Sequence, residues 1–142
     1  MLLGTGIDLI DIRRIQETLD RHGQRFKDRV FTKEEQIWCE KRVDRAAAYA
    51  RHYAVKEACS KALGTGMSQG VAWRQMYLDR AAGRRPRLVC VGNAAERLGM
   101  MTPKGFKALL YTSITDEPPY AAATVSISAI PENFTMPQQA LP

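Results

Sequence analysis

The stretch Tyr53-Ala-Val-Lys-Glu57-Ala-Cys-Ser60-Lys61-Ala-Leu-Gly64-Thr-Gly66 does most to limit how this chain can fold. Alanine, leucine and charged residues from Asp44 to Leu63 are strong helix formers, Asp44 offers an N-cap oxygen and Gly64 a stop, so one long helix is predicted there. Glu57 and Lys61 lie four residues apart and share a face with Tyr53 one turn earlier. A carboxylate and an ammonium so placed form either an exposed ion pair or part of a site, and spacing alone favours the ion pair.

Ahead of that helix, Leu2 to Ile10 is apolar, partly β-branched and without a helical period, which predicts a mostly buried strand. Asp8 interrupts it. A carboxylate between Ile7 and Leu9 is costly to bury unless it caps the next helix or meets a cation, and Asp11 is the better-placed cap. Gly4 and Gly6 suit close backbone approach better than phosphate binding, because no helix follows at Gly-rich-loop spacing. Ile12, Ile15 and Leu19 give the next segment one apolar face, with Gly23 expected to end it. The six basic residues from Arg13 to Arg29 form either a solvated face or a docking surface for an acidic helix, with Phe26 as an apolar anchor.

Thr32-Lys-Glu-Glu35 fits a capping box and predicts a short helix to Lys41. His52 reads as a packing residue, since neither HExxH nor a nearby second histidine supports zinc. Beyond Gly66, strands are expected at Val71 to Leu78 and Arg87 to Val91, separated by a turn through Gly83 and Pro86. A short helix from Asn93 should end at Gly99, and two more strands should run from Phe106 to Ile114 and from Tyr120 to Ile127. Thr115 to Pro119 reads as a tight hairpin turn, and the prolines after Ala129 as a loose tail, giving a domain of residues 1–128 and a tail of 129–142.

A chain of 142 residues with this apolar content suits one domain. No run is long and apolar enough for a bilayer span and no export signal is evident, so a soluble cytoplasmic protein is expected, with no membrane partner. Three scattered cysteines, Cys39, Cys59 and Cys90, fit reduced thiols. The net charge of +6 favours an anionic partner. Nucleic acid is the weaker choice, because the known nucleic-acid signatures are missing; a non-catalytic basic binding module is the competing class.

Gly6-Ile-Asp8-Leu-Ile together with Val55-Lys-Glu57-Ala-x-x-Lys61-Ala-Leu-Gly-Thr-Gly66 resembles the holo-acyl-carrier-protein synthases, the short group of phosphopantetheinyl transferases. The likeness extends to Arg25-Phe26, Arg29-Val-Phe-Thr32, Arg85-Pro86, Ser113-Ile-Thr-Asp-Glu and Tyr120 to Val125. It implies transfer of the 4'-phosphopantetheine arm of coenzyme A to a serine of apo acyl carrier protein, with release of adenosine 3',5'-bisphosphate, in support of fatty acid biosynthesis. By the same resemblance Asp8 and Glu57 match metal-binding carboxylates for Mg²⁺, Lys61 the lysine facing the phosphates, and Ser60, Gly64 and Pro86 the coenzyme A cleft. Arg14, Arg21, Arg25 and Phe26 match the region that receives the carrier protein.

The chain departs from the family at Thr115-Asp116, where many members have Ser-His, which leaves Glu57, Asp116 or a metal-bound water as the general base. It departs again at His52-Tyr53, where Arg-Phe is frequent. The resemblance implies an α+β fold of long helices on an antiparallel sheet, assembled as a homotrimer with sites at subunit interfaces.

Overall fold

In the computed structural model, which describes residues 1–80 and 85–135, a long buried helix lies across one face of a three-stranded antiparallel sheet. The strands are β1 (Leu2–Asp11), β4 (Phe106–Glu117) and β5 (Tyr120–Pro131), in the order β1-β5-β4. The helix is α3 (Arg45–Ala62), capped by the Asp44 side chain, which accepts from the Ala47 amide. Its flank is covered by α1 (Ile12–Val30), α2 (Lys33–Glu40) and a two-stranded sheet of β2 (Met76–Asp79) with β3 (Arg87–Cys90). A last helix, α4 (Gly92–Met101), follows β3. The domain is therefore α+β, with long helices packed on an antiparallel sheet.

The approach of α3 to β1 depends on two missing side chains. A Cβ on Gly6 would stand 1.9 Å from the Ala58 carbonyl oxygen, and one on Gly4 2.1 Å from that of Ala62. The small residues Ala58 and Ala62 meet these glycines from the helix side, both buried. Strand and helix backbones thus nearly touch, and the next residue along this face of β1 is Asp8. The opposite face of the sheet is open: Ile7 is 65% exposed and Leu9 66%.

Capping follows the sequence closely. Asp11 accepts from the Arg13 amide at the start of α1, and Thr32 with Glu35 forms a capping box on α2. Elsewhere the elements differ from expectation. Gly23 (φ 50°) kinks α1 without ending it, because Phe26 and Val30 continue to turn apolar surface inward. Gly99 sits inside α4, and Val71 to Leu78 is a loop, a 3-10 turn (Trp73–Gln75) and the short β2. The tight turn shrinks to Pro118 and Pro119, since Thr115, Asp116 and Glu117 pair with Ala122, Ala121 and Tyr120 inside the ladder. β5 runs on to Pro131, past the point where the prolines predicted a tail; Pro131 is the last strand residue, paired with Phe106. Gly83, within the predicted turn, and residues 136–142 of the predicted tail lie outside the described residues.

One buried ion pair joins three elements on the far side of α3. Lys56 Nζ lies 2.7 Å from Glu35 Oε2, with both side chains 1% exposed. The ammonium also donates to the Met76 carbonyl, and the Leu78 amide donates to Glu35 Oε1. Every polar atom in the cluster is used, which is the condition for a buried pair to be tolerated. It pins the rotation of α3 against α2 and β2, and so the direction in which the adjacent Glu57 points.

Candidate active site

Three of the predicted site residues converge where β1 crosses α3. Asp8 belongs to the helix-facing row of β1, opposite Ala123 of β5, and its side chain is 14% exposed. Lys61 reaches over from α3 to donate to Asp8 Oδ1 and to the Ile7 carbonyl, each at 2.9 Å. The ordinary Glu57–Lys61 ion pair permitted by their spacing is not the one formed; Lys61 closes on the strand acid instead. Glu57, one turn earlier, feels Asp8 directly. Burial first, and then the Asp8 charge, raise its proton affinity above that of an ordinary glutamate, while the Lys61 ammonium and the Tyr53 hydroxyl oppose the rise.

A half-buried carboxyl pushed up by a second acid marks a place where a cation is favoured. Among the described residues no group of three or more His, Cys, Asp or Glu side chains is assembled to hold a metal ion. Two carboxylates are the usual protein contribution to a magnesium ion whose remaining ligands are water and phosphate oxygens. The donor set of Asp8 and Glu57 therefore fits Mg²⁺ in chemistry and number.

The remaining predicted residues divide. Gly64, at φ 73°, turns the chain out of α3 and stays exposed. Ser60 is fully buried and its Oγ donates to the Glu57 carbonyl, so it supports the helix beneath the cluster. Pro86 stands just before the Asp79–Arg87 pair, at the end of the small sheet where Arg80 meets His52, away from Ser60 and Gly64. Arg14, Arg21 and Arg25 are exposed on α1. Arg14 stands close enough to Tyr53 for its charge to act on that phenol, so the basic helix adjoins the acids. Phe26 is half-buried in an edge-on contact with Phe31 and near Tyr53, which makes it a buttress of α1 as much as an outward anchor.

Asp116 is not brought to the cluster within one chain. It lies opposite Ala121, which pairs in turn with Ile10, two strands across from β1 and two residues along from Asp8, roughly 10 Å or more away. Its carboxylate is held 2.8 Å from Nη1 of Arg51. The pairings of Arg51 and Lys56 are what sequence reasoning did not find. An arginine and a lysine inside an alanine-rich helix whose neighbours read as buried were the available signal.

His52 is wholly buried between Trp38 and α3. The Ala48 carbonyl can only accept, so Nδ1 carries the proton, and Nε2 accepts from Arg80. Burial pulls its pKa down to about 3. It is a neutral packing group and takes no part in the cluster.

The structure is thus a small α+β domain presenting two acids and an ammonium at a strand–helix crossing. Comparison with known proteins gives the class its name. The family model of the 4'-phosphopantetheinyl transferase superfamily matches residues 4–124. A holo-[acyl-carrier-protein] synthase of Methylorubrum populi is 53% identical over 92% of this chain and 96% of its own length. That of Parvibaculum lavamentivorans is 51% identical over 93% and 99%. Among solved structures, the Neisseria meningitidis synthase superposes with a TM-score of 0.77 at 26% identity, covering 90% of this chain and 99% of its own. The Helicobacter pylori enzyme in complex with coenzyme A superposes with a TM-score of 0.73 at 26% identity, covering 87% and 99%. The chain belongs to the 4'-phosphopantetheinyl transferase superfamily and, within it, to the holo-[acyl-carrier-protein] synthases.

Proposed function

We propose that this enzyme transfers the 4'-phosphopantetheine arm of coenzyme A to a serine of apo acyl carrier protein, in a Mg²⁺-dependent reaction that releases adenosine 3',5'-bisphosphate and serves fatty acid biosynthesis. The observation that carries the metal dependence is the convergence of Asp8 and Glu57 beside Lys61. Asp8 and Glu57 would hold Mg²⁺, which when bound neutralises pyrophosphate charge as the phosphoanhydride opens. Lys61, already poised at the mouth of the cluster, turns its ammonium from Asp8 to the phosphate oxygens and stabilises the charge they gain. Glu57, standing in the cluster beside Asp8 and Lys61, receives the proton of the attacking serine. Asp116, fixed in its pair with Arg51, is the poorer candidate for that role. Gly64, exposed where α3 ends, lines the cleft for coenzyme A, with Ser60 supporting the helix behind it.

Arg14, Arg21 and Arg25 receive the acidic carrier, with Phe26 beneath them. Charge complementarity of this kind chiefly speeds encounter and fixes orientation. The open sheet face, with Ile7, Leu9 and Tyr120 exposed in one continuous patch, supports a homotrimer with sites at its subunit interfaces. The free cysteines fit a cytoplasmic location, and no helix among the described residues is long and apolar enough to cross a membrane.

The test is incubation with coenzyme A, Mg²⁺ and a serine-bearing apo carrier protein, read by intact mass. The carrier should gain the mass of the arm, and chelation of the metal should stop the gain. No mass gain with several carriers would overturn the reading, and a non-catalytic basic module, indifferent to Asp8→Ala and Glu57→Ala, would take its place.

A further inference from the structure

Two of the three thiols lie in contact immediately behind the acidic cluster. Cys59 of α3 and Cys90 of β3 place their sulfurs 3.8 Å apart, although 31 residues separate them in sequence. Cys59 is fully buried, whereas Cys90, at the end of the small sheet, is partly exposed. Nothing in the transfer chemistry uses either group.

We propose that Cys90 and Cys59 form an oxidation site at which a hydroperoxide converts the two thiols into a disulfide tying α3 to β3. Their environments assign the roles. Cys90 is the thiol partly open to solvent, and Cys59 is enclosed behind it. The more exposed thiol is thus the one a peroxide meets, and a resolving thiol waits beside it. In the first step the Cys90 thiolate attacks the O–O bond of hydrogen peroxide, giving a Cys90 sulfenic acid and hydroxide, which takes up a proton to become water. In the second, the Cys59 sulfur gives up its proton and attacks the Cys90 sulfur, expelling the sulfenic oxygen as a second water. The thiol pair loses two electrons and the peroxide gains them.

Closing the bond brings the sulfurs from 3.8 Å to about 2 Å. Part of that movement falls on α3, where Cys59 lies two residues from Glu57 and two from Lys61. Oxidation therefore displaces the acid and the ammonium relative to Asp8 on β1. Cys39 is the internal control: it is buried, with its thiol pushed up to about 12, and should stay reduced.

The experiment treats the full chain with a modest excess of hydrogen peroxide, digests it with trypsin without reduction and maps the peptides. A linked species joining residues 57–61 to residues 88–97, lost on adding dithiothreitol and absent from Cys90→Ser and Cys59→Ala, is the expected result. Unlinked peptides, unmodified or carrying a sulfinic or sulfonic Cys90, would overturn the proposal. A second arm, which rests on the proposed transferase activity, compares arm transfer before oxidation, after it and after re-reduction. Oxidised protein should be slower by roughly tenfold, a displacement effect, and dithiothreitol should restore it, with Cys90→Ser unaffected by peroxide. A linked protein of undiminished rate would overturn control of activity by the bond. Absence of transfer in the reduced protein would count against the functional reading and leave the peptide map to decide the thiol chemistry.

Discussion

Lys61 on α3 holds its ammonium 2.9 Å from Oδ1 of Asp8 on β1, so the strand acid is neutralised by the same helix that carries Glu57. Lys61 then has two partners at different stages: Asp8 when the cluster is empty, and phosphate when substrate arrives. Lys61→Met should accordingly move binding and turnover in opposite directions. Mg²⁺ should bind the substrate-free variant a few-fold more tightly by calorimetry, because Asp8 no longer has a competing cation. Turnover should fall by roughly a hundredfold, the usual cost of losing one charge-stabilising donor. A variant that binds the metal less tightly would contradict this exchange of partners.

Glu57 is ionised at a cost in the metal-free protein. Burial and Asp8 favour its protonated form, so the folded state binds the proton more tightly than the unfolded chain. Stability from this group is present at low pH and is lost as pH rises past its ordinary value of 4.5. Glu57→Gln should thus raise the thermal midpoint at pH 7 without metal. The gain should be under about 1 kcal/mol, since solvent at this open site screens the repulsion. Lowering the pH should erase it. Mg²⁺ should stabilise the parent protein and leave Glu57→Gln almost unmoved, which differential scanning calorimetry can read.

Gly6 makes the tightest of the glycine approaches between sheet and helix among the described residues. Gly6→Ala drives a Cβ to 1.9 Å from the Ala58 carbonyl oxygen, and neither backbone can yield without separating β1 from α3. The loss should be about 3 kcal/mol or more in denaturant unfolding. Arm transfer should fall further than the unfolded fraction explains, because Asp8 and Glu57 ride on the two backbones being separated. A fully stable Gly6→Ala would mean that the crossing is not as tight as described.

These contacts show what the sequence could and could not express. The caps at Asp11, Thr32 and Asp44 are local and were legible, as were the long helix and the use of Gly4 and Gly6 for close approach. Asp8 and Glu57 could be paired only through resemblance, since no spacing rule joins residues 49 positions apart. Spacing alone favoured Glu57 as the partner of Lys61, because helix periodicity sees one helix and cannot see a strand. Asp116 was placed in a turn because Pro118 and Pro119 follow it, yet the ladder with β5 holds it in β4. Proline density likewise hid the end of β5, where Pro131 is tolerated as the last residue.

His52 makes acid stability testable. The unfolded chain takes up a proton near 6.5, whereas the buried ring refuses one until about 3. Between those values the unfolded state binds more protons, so stability is full above 6.5 and is lost as pH falls toward 3. The expected loss is a few kcal/mol across that window. His52→Gln should show a shallower decline of the thermal midpoint from pH 6.5 to 4 than the parent chain. Parallel profiles would show that the ring is not held neutral by its burial.

Arg51 and Asp116 decide between two views of the late hairpin. If Asp116 takes the proton of the attacking serine, Asp116→Asn should cut turnover by a hundredfold or more and remove the acidic limb of the pH–rate profile. The geometry within one chain argues otherwise: the carboxylate is engaged by Nη1 of Arg51 at 2.8 Å and stands two strands from Asp8. Asp116→Asn should therefore lose less than about tenfold in turnover and keep the acidic limb, and Arg51→Met should behave alike. The double variant should be little worse than either single one, because each loss already breaks the same pair. Glu57→Gln, in contrast, should abolish that limb along with most of the rate. A collapse of activity in Asp116→Asn with Glu57→Gln still titrating would transfer the proton-accepting role to the hairpin acid.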